Sequence, residues 1–575
     1  MPVHNSDIAT ALNQVGDMLD IKGENPFRVR AYQNAARTVS GLSQNVADMV
    51  EKGEDLSKLS GIGRDIAGKI KEIVETGTLQ QLEDLKSELP GGLLDLLKLE
   101  SLGPKRVKAL YDELDIKSLS RLEKAAKDHK IQQLDGFGKK TEQKILDEIE
   151  RFSKEGEQSR FKLVIADEYI LPLKEYLEKI NSVKRIDIAG SYRRHKETVG
   201  DIDILTSCKK GSDVMEKFVS YEDVERVIAG GGTKSSVVLR NGLQVDLRVV
   251  PEAGWGAALH YFTGSKAHNI AIRKMGVKKN LKINEYGVFK GDERVAGKTE
   301  EDVFESVGLP YIPPELRENS GEIEAAKKKK LPKLIELKDI RGDLQSHTKA
   351  SDGKFTLKEM ADAAKDKGYE YLAITDHSKR VSMAGGLDEK DLARHIKEMD
   401  KLNDTLNGFR ILKSIEVDIL PDGTLDLSDD ILKELDIVIC SVHYNTKLSR
   451  DKQTKRVLKA MENPYFHIFA HPTGRLIGER ESYEIDLEAV MQGAKDNGCF
   501  LELNAQPERL DINDAYCRMA KEMGIKIAIS TDAHTTSDLD FMRFGIGQAR
   551  RGWLEADDVL NTKSWNGLKK LIRKK

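Results

Sequence analysis

The run Ala189-Gly190-Ser191-Tyr192-Arg193-Arg194-His195-Lys196-Glu197-Thr198-Val199-Gly200-Asp201-Ile202-Asp203-Ile204-Leu205 decides how the middle of this chain folds. In a strand, residues two apart point the same way, so Asp201 and Asp203 share one face while Ile202 and Ile204 pack on the other. A second run, Leu243-Gln244-Val245-Asp246-Leu247-Arg248-Val249, alternates in the same manner and centres Asp246 on its polar face. Carboxylates have no reason to gather on neighbouring strands unless a cation neutralises them. Three of them suit two divalent metals, and oxygen donors are what Mg²⁺ prefers, together with substrate phosphates. Upstream, Gly190-Ser191 lets backbone N–H and hydroxyl groups approach a triphosphate, and Arg194 balances its charge. The plain alternative is an exposed acidic strand, against which the Gly-Ser turn and the two arginines argue. The chemistry this pattern suits is an in-line displacement at phosphorus.

The rest of the chain is organised around this centre. Its 575 residues exceed the roughly 100–200 typical of one domain, so several are expected. The composition, 39% hydrophobic and 33% charged, is that of an ordinary soluble protein, and no apolar run suggests a membrane span or secretory signal. Cys208, Cys440, Cys499 and Cys517 stand far apart, as reduced core residues of a cytoplasmic protein do. A net charge of −3 means that any nucleic-acid binding must come from local patches. The segment from Pro313 through Lys327–Lys330 to Lys338 reads as an exposed linker.

The first 155 residues read as helical and hold an internal repeat: Leu59-Ser60-Gly61-Ile62-Gly63, Leu99-Glu100-Ser101-Leu102-Gly103 and Leu134-Asp135-Gly136-Phe137-Gly138. Each final glycine opens a helix, at Arg64, Pro104 and Lys139, whose unpaired N–H groups face outward to receive a phosphate. Lys105 and Lys139 add positive charge. One such turn could be a packing element, but three at similar spacing form a backbone clamp that reads phosphate rather than base. The segments resemble the helix-hairpin-helix motifs of DNA-repair proteins.

The pattern G-S-x(9)-D-x-D occurs in nucleotidyltransferases broadly. Tyr261-Phe262-Thr263-Gly264-Ser265, Asn269, Arg273 and Ile283-Asn284-Glu285-Tyr286 narrow it: residues 1–312 resemble DNA polymerase beta and the family X polymerases. The resemblance implies that Asp201, Asp203 and Asp246 hold Mg²⁺ or Mn²⁺, with Asp246 also placed to activate a primer hydroxyl. It implies that Gly190, Ser191, Arg194 and Gly200 surround the triphosphate. Tyr261, Phe262 and Gly264 lie beside the sugar, and Asn269 and Arg273 along the nascent pair. Gly61, Gly63, Gly103, Lys105, Gly136, Gly138 and Lys139 bind DNA. Lys69 matches the position of the family's abasic-site lyase lysine. A lysine nucleophile needs a lowered pKa, however, and Asp65, four residues earlier, works against it.

After the linker, about seven short apolar runs alternate with amphipathic helical stretches, which argues for a β/α barrel. They end near Leu344, Thr375, Glu416, Ser441, Ala470, Leu503 and Ser530. His347, Asp352, His377, Glu416, His443, His471, Asp532 and His534 fall at or just past these ends, the rim where such barrels place their chemistry. His395 and His467 read as structural, and His4, His129 and His195 have no site-like context. The set Gln345-x-His347, Asp352, Asp376-His377, Glu416, His443, His471-Pro472 and Asp532-Ala533-His534 resembles the PHP superfamily. That resemblance implies three metals: one on His347, Glu416 and Asp532, a second on Glu416, His443 and His471, a third on Asp352, His377 and His534. Mixed imidazole and carboxylate donors suit Zn²⁺ and Mn²⁺. Gln345 stands where the family has histidine, and its neutral amide should hold the first metal less firmly.

The expectation is therefore a multidomain protein. Residues 1–88 form a helical, lyase-like DNA-binding domain and 89–156 helix-hairpin-helix fingers. An α/β nucleotidyltransferase palm follows at 157–252, a thumb at 253–312, a linker at 313–337 and a (β/α)7-type PHP barrel at 338–575. It should act as a monomer in the cytoplasm on gapped or primed DNA and dNTPs, filling short gaps in base excision repair. The barrel should supply 3′–5′ exonuclease or 3′-end processing, and abasic-site lyase or endonuclease activity is a further expectation. Two alternatives compete: an RNA nucleotidyltransferase fused to a phosphatase, and a DNA-binding scaffold with a degenerate barrel.

Overall fold

The computed structural model describes residues 5–40, 46–59, 61–90, 92–97, 99, 101–155, 160–478 and 480–572. The chain divides into two compact units, 1–159 and 160–575. In the first, helices gather round two separate apolar clusters, one from Ile8 to Leu85 and one that joins Ile21 to residues Leu93–Ile149. The three repeats fold alike. Ile62, Leu102 and Phe137 are buried, and their N–H groups donate to Leu59, Leu99 and Leu134 carbonyls at 3.1, 3.0 and 3.1 Å. Helices then start at Arg64, Pro104 and Lys139. Gly61 and Gly136 adopt φ of +80° and +77°, which a side chain disfavours, and a Cβ on Gly63, Gly103 or Gly138 would meet open space.

The second unit begins with a five-stranded sheet in the order Val183–Ile188, Asp201–Cys208, Gln244–Val249, Lys234–Leu239, Val224–Ala229. Only the central pair is parallel, and it sets Asp203 directly opposite Asp246. Ile202, Ile204, Val245 and Leu247 are fully buried beneath the helices Leu163–Glu178 and Val214–Val219, so the aspartates face the other way. The parity argued from the sequence is the parity observed.

The C-terminal part has strands at Gly342–Asp343, Tyr371–Ile374, Arg410–Lys413 with Glu416–Asp418, Ile439–Ser441, Ile468–Phe469, Phe500–Asn504 and Ile527–Ser530. All pair in parallel within two sheets. The parallel bridge His377–Glu416 links the sheets on one side, and Ser346–Ala533 brings first and last strands together on the other. The seven strand positions are those read from the apolar runs. Among the described residues, no helix is long and apolar enough to cross a membrane.

The reading of 313–337 as an exposed linker is corrected. Leu316, Ile323, Ala326 and Leu334 are buried in the same cluster as Ala257, Ile272 and Phe304, so this segment completes the thumb. Arg317 is fully buried. Its Nη1 meets Glu300 at 2.5 Å, its Nε donates to the Ile312 carbonyl at 2.8 Å, and its guanidinium lies over Phe304 and Tyr311. Lysines 327–330 are exposed, as their composition suggested.

Breaking a buried ion pair from one side leaves an unpaired charge, so Arg317→Met should cost about 3 kcal/mol. Lys329→Ala, on the exposed run, should shift the denaturation midpoint little. Burial opposes the charge on Glu300, but Arg317 and Arg193 outweigh it and hold the carboxyl at about 2, below its ordinary 4.5. Its stabilising share is therefore complete above about pH 4.5 and lost as pH falls toward 2. Denaturation midpoints between pH 7 and 3 should converge for the native chain and the Arg317→Met variant.

Candidate active sites

In the palm, Ala189 donates its N–H to the Asp203 carbonyl at 2.7 Å, which ties the turn to the acidic strand. Gly190 adopts φ +66°, and a Cβ there would fall 3.1 Å from Asp203 Oδ2. The turn can therefore approach the carboxylate only with glycine in this place. Asp246 Oδ2 lies 3.2 Å from Lys234 Nζ and 3.6 Å from Arg248, and its Oδ1 accepts from Gln244 Nε2 at 3.2 Å. Burial, reinforced by Asp201 and Asp246, pushes Asp203 up to about 7. Burial and Asp246 likewise raise Asp201. A carboxyl that resists ionisation beside two others is a place suited to a cation.

The remaining predicted palm and thumb residues lie as follows. Ser191 follows Gly190 in the short helix Gly190–Arg193, and Gly200 lies against Arg160, 3.5 Å from a Cβ to Nη1. Arg194 is half-buried and pairs through Nε with Glu318 at 3.0 Å. Tyr261 and Phe262 end the helix Trp255–Thr263, their rings packed edge to face, with Arg248 over Phe262. Gly264 follows at φ +73°. Asn269 is buried and donates to the Tyr261 carbonyl at 2.7 Å, while Arg273, on the same helix, is exposed.

In the barrel the donors converge more tightly. His347, Glu416 and Asp532 bring ligand atoms within 4.8 Å of one another, as do His377, Glu416 and His443. Asp352, His377 and His534 form a further group that includes His347. His471 enters through Glu416, with Nε2 at 3.0 Å from Oε1. Among the described residues, the groups of three or more that close to this distance all lie in the barrel. His471 and Asp532 hold φ of +30° and +53°, unusual for residues with side chains. The Nδ1 atoms of His347 and His377 are buried without a hydrogen bond, and His347 Nε2 lies 3.0 Å from Asp532 Oδ1, an arrangement that fits a metal better than it fits packing. Gln345 is fully buried with Oε1 unpartnered and Nε2 3.5 Å from Asp532 Oδ1.

Several supporting roles were missed in the sequence, including that of Asp376, which was read only beside His377. Asp376 accepts from Thr348, Ser351 and His395, which turns the supposedly structural His395 into a partner of the rim. Asp418, two residues past Glu416 on the same strand face, contacts His443 Nδ1 at 3.3 Å and Arg380 at 2.8 Å. Glu502 accepts the His471 N–H at 2.7 Å, and Asn504 donates to Asp532 at 3.1 Å. For Asp418, the two-residue spacing from Glu416 was the available signal; Glu502 and Asn504 lie on a strand with no predicted donor. His467, by contrast, accepts from the Val438 N–H between strands, and His129 meets Glu142 at 2.8 Å. His4 lies outside the described residues.

Lys69 is bound to Asp65 at 2.6 Å and lies over Tyr32. Burial pulls its pKa down, but hydrogen bonds to Asp65 and Tyr32 outweigh that and raise it. Lys105 and Lys139 stand exposed at their helix starts.

A metal-ready acidic palm and a parallel barrel rimmed with imidazoles and carboxylates thus share one chain. Family models agree: helix-hairpin-helix domains match residues 3–79 and 93–151, the DNA polymerase beta palm 168–250, its thumb 258–318, and the PHP domain 343–506. The "DNA polymerase/3'-5' exonuclease PolX" of Bacillus subtilis (strain 168) is 40% identical over the full length of both chains. A "Probable phosphatase" of Thermoanaerobacter sp. (strain X514) is 32% identical over 38% of this chain and 89% of its own length. The chain belongs to the family X DNA polymerases that carry a C-terminal PHP domain.

Burial lowers the pKa of His377 and His534, but Glu416, Asp352 and Asp532 outweigh it and raise both to about 9. Protons thus occupy the rim where a cation would sit. Metal binding should expel them at any pH below about 9, and affinity should rise with pH up to that point. Calorimetric titration with Mn²⁺ in two buffers of different ionisation enthalpy counts the protons released. Release that vanishes at pH 7 would contradict the assignment.

Proposed function

We propose that this chain fills short gaps in DNA during base excision repair and trims or cleans 3′ ends with its barrel. The observation that carries the reading is the register of Asp203 against Asp246 beneath the Gly190 turn, in the same compact unit as the eight-donor rim. Mg²⁺ or Mn²⁺ on Asp201, Asp203 and Asp246 supplies charge neutralisation at the transferring phosphate, and Zn²⁺ or Mn²⁺ on the rim donors does so at a phosphodiester. Gly190, Ser191 and Gly200 bind the triphosphate with Arg194. Asp246 takes the proton of the primer 3′-hydroxyl. Tyr261, Phe262 and Gly264 exclude a 2′-hydroxyl, and Asn269 and Arg273 follow the nascent pair. The three hairpins, with Gly61, Gly63, Gly103, Lys105, Gly136, Gly138 and Lys139, grip the DNA backbone without reading bases. The protein works as a cytoplasmic monomer.

The test is a 5′-labelled primer on gapped DNA, with and without dNTPs. Asp201→Ala should abolish nucleotide addition and preserve 3′-end release; His377→Ala should do the reverse. Loss of both activities from either change, in folded protein, would mean one active site rather than two.

Lys69 acts as a phosphate contact in this reading, because its raised pKa and its bond to Asp65 disfavour a free amine. Borohydride trapping on abasic DNA should yield little adduct with the native chain and more with Asp65→Asn. Strong trapping by the native chain would restore the lyase assignment.

A further inference from the structure

The turn that precedes the acidic strand is held by the barrel domain. Arg475, four residues past His471, forks onto Glu197 at 2.5 and 3.3 Å and also holds the carbonyls of Arg509 and Leu510. His195 seats on Gly547, where an added Cβ would fall 2.7 Å from its Nδ1, and its carbonyl accepts from Gln548 at 2.9 Å. Arg551 closes the helix Met542–Arg551. It donates to the Arg194 carbonyl at 2.9 Å, pairs with Glu318 at 3.0 Å, and is braced by Asp514 at 2.7 Å. Glu318 in turn takes Arg194 Nε at 3.0 Å, and Arg194 Nη1 donates to the Thr263 carbonyl at 2.5 Å.

A carboxylate on an arginine meant for a triphosphate can act in two opposite ways, as a competitor for it or as a holder of it. Two features favour the holder. The contacts engage Nε and Nη1, and Nη2 takes part in neither. Glu318 is also not held by Arg194 alone: Arg194, Lys196 and Arg551 lie 3.0, 3.5 and 3.0 Å from it, so three cations share the one carboxylate and it does not neutralise Arg194. Burial opposes the charge on Glu318, but Arg551, Lys196 and Arg194 hold its carboxyl at about 2, so the clamp persists at neutral pH.

We propose that Glu318, fixed by Arg551 of the barrel domain, is a positioning residue that aims Arg194 at the incoming triphosphate. The barrel then sets the palm's affinity for nucleotide as well as carrying its own chemistry. This rests on the reading of Arg194 as a triphosphate contact.

The experiment measures KM for dNTP and kcat in single-nucleotide gap filling by the full-length protein. It compares the native chain with Arg194→Met, Glu318→Gln, Arg551→Met and Arg551→Lys, with 3′-end release by the same preparations as the folding control. Glu318→Gln and Arg551→Met should each raise KM roughly 10-fold while 3′-end release is kept. Their kcat should change by less than about 2-fold, because the effect is on binding. Arg551→Lys should recover part of the loss. If Arg551→Met loses 3′-end release through misfolding, Glu318→Gln and Arg551→Lys carry the test. An unchanged KM in Glu318→Gln, beside a raised one in Arg194→Met, overturns the inference alone. A lowered KM in Glu318→Gln also overturns it, since Glu318 would then compete with the triphosphate. A fall in kcat at constant KM does the same. If Arg194→Met itself leaves KM unchanged, the triphosphate reading and the inference both fall. No extension by the native chain would sink the polymerase reading beneath them.

Discussion

Removing ionisable groups from water is costly unless opposite charges or protons replace the solvent, and that constraint shapes both sites. The barrel meets it with mixed donors. Glu416 is buried, yet His377, His443 and His471 around it outweigh burial and hold its carboxyl well below the usual range. Asp352 is depressed in the same way: His377, His534 and His347 overcome its burial. Imidazole and carboxylate side chains alternate round the rim, so each buried acid there has histidines beside it. His347 and His534 even stack at 4.3 Å. The palm instead flanks its three carboxylates with Lys234 and Arg248 beside Asp246 and with Arg160 near Asp201. A proton on Asp203 is its remaining recourse, and its acids stay further apart than the barrel donors do.

The barrel also stores backbone strain where its donors sit. Positive φ at His471 and Asp532 costs of order 1–3 kcal/mol each and persists only where the surroundings over-determine it. Those surroundings are visible. Glu502 holds the N–H of His471, Asn504 holds the Asp532 carboxylate, and Asp343 receives the Thr531 N–H at 3.1 Å. The strained residues are thus pinned from neighbouring strands, which hold the donor set in its converging arrangement.

Much of this was legible in the sequence because both sites obey strand periodicity. Asp201, Asp203 and Asp246 follow from alternation, and the barrel donors follow from their place just past apolar runs. The hairpins were legible because left-handed turns ask for glycine at Gly61 and Gly136. What could not be read were partnerships across long sequence separations. Arg317 looks solvated among prolines and lysines, and only Glu300, seventeen residues earlier, with the rings of Phe304 and Tyr311, makes its burial tolerable. Asp376 and Asp418 sit beside readable donors, but nothing local tells a ligand from the acid that orients it. Arg475, Gln548 and Arg551 resemble ordinary surface residues until the palm is placed against them.

Palm and barrel, which share one compact unit, are joined through the barrel's own ligand-bearing segments. The helix that begins at Met542 follows Asp532 and His534 by fewer than a dozen residues, and it ends on Arg551 against the palm turn. The loop after His471 reaches the same turn through Arg475. Two of the barrel's ligand-bearing segments therefore continue directly into contacts with residues 194–197. Buried pairs of this kind resist one-sided loss, since each removal strands a charge in a site that water enters poorly. A palm separated from its barrel would lose Leu510 and Phe544, which are buried in its own apolar cluster. It would also expose Glu197 without Arg475 and leave Glu318 to Arg194 and Lys196 without Arg551. The barrel is thus a structural part of the polymerase, and its own rim is built on the segments that provide this support.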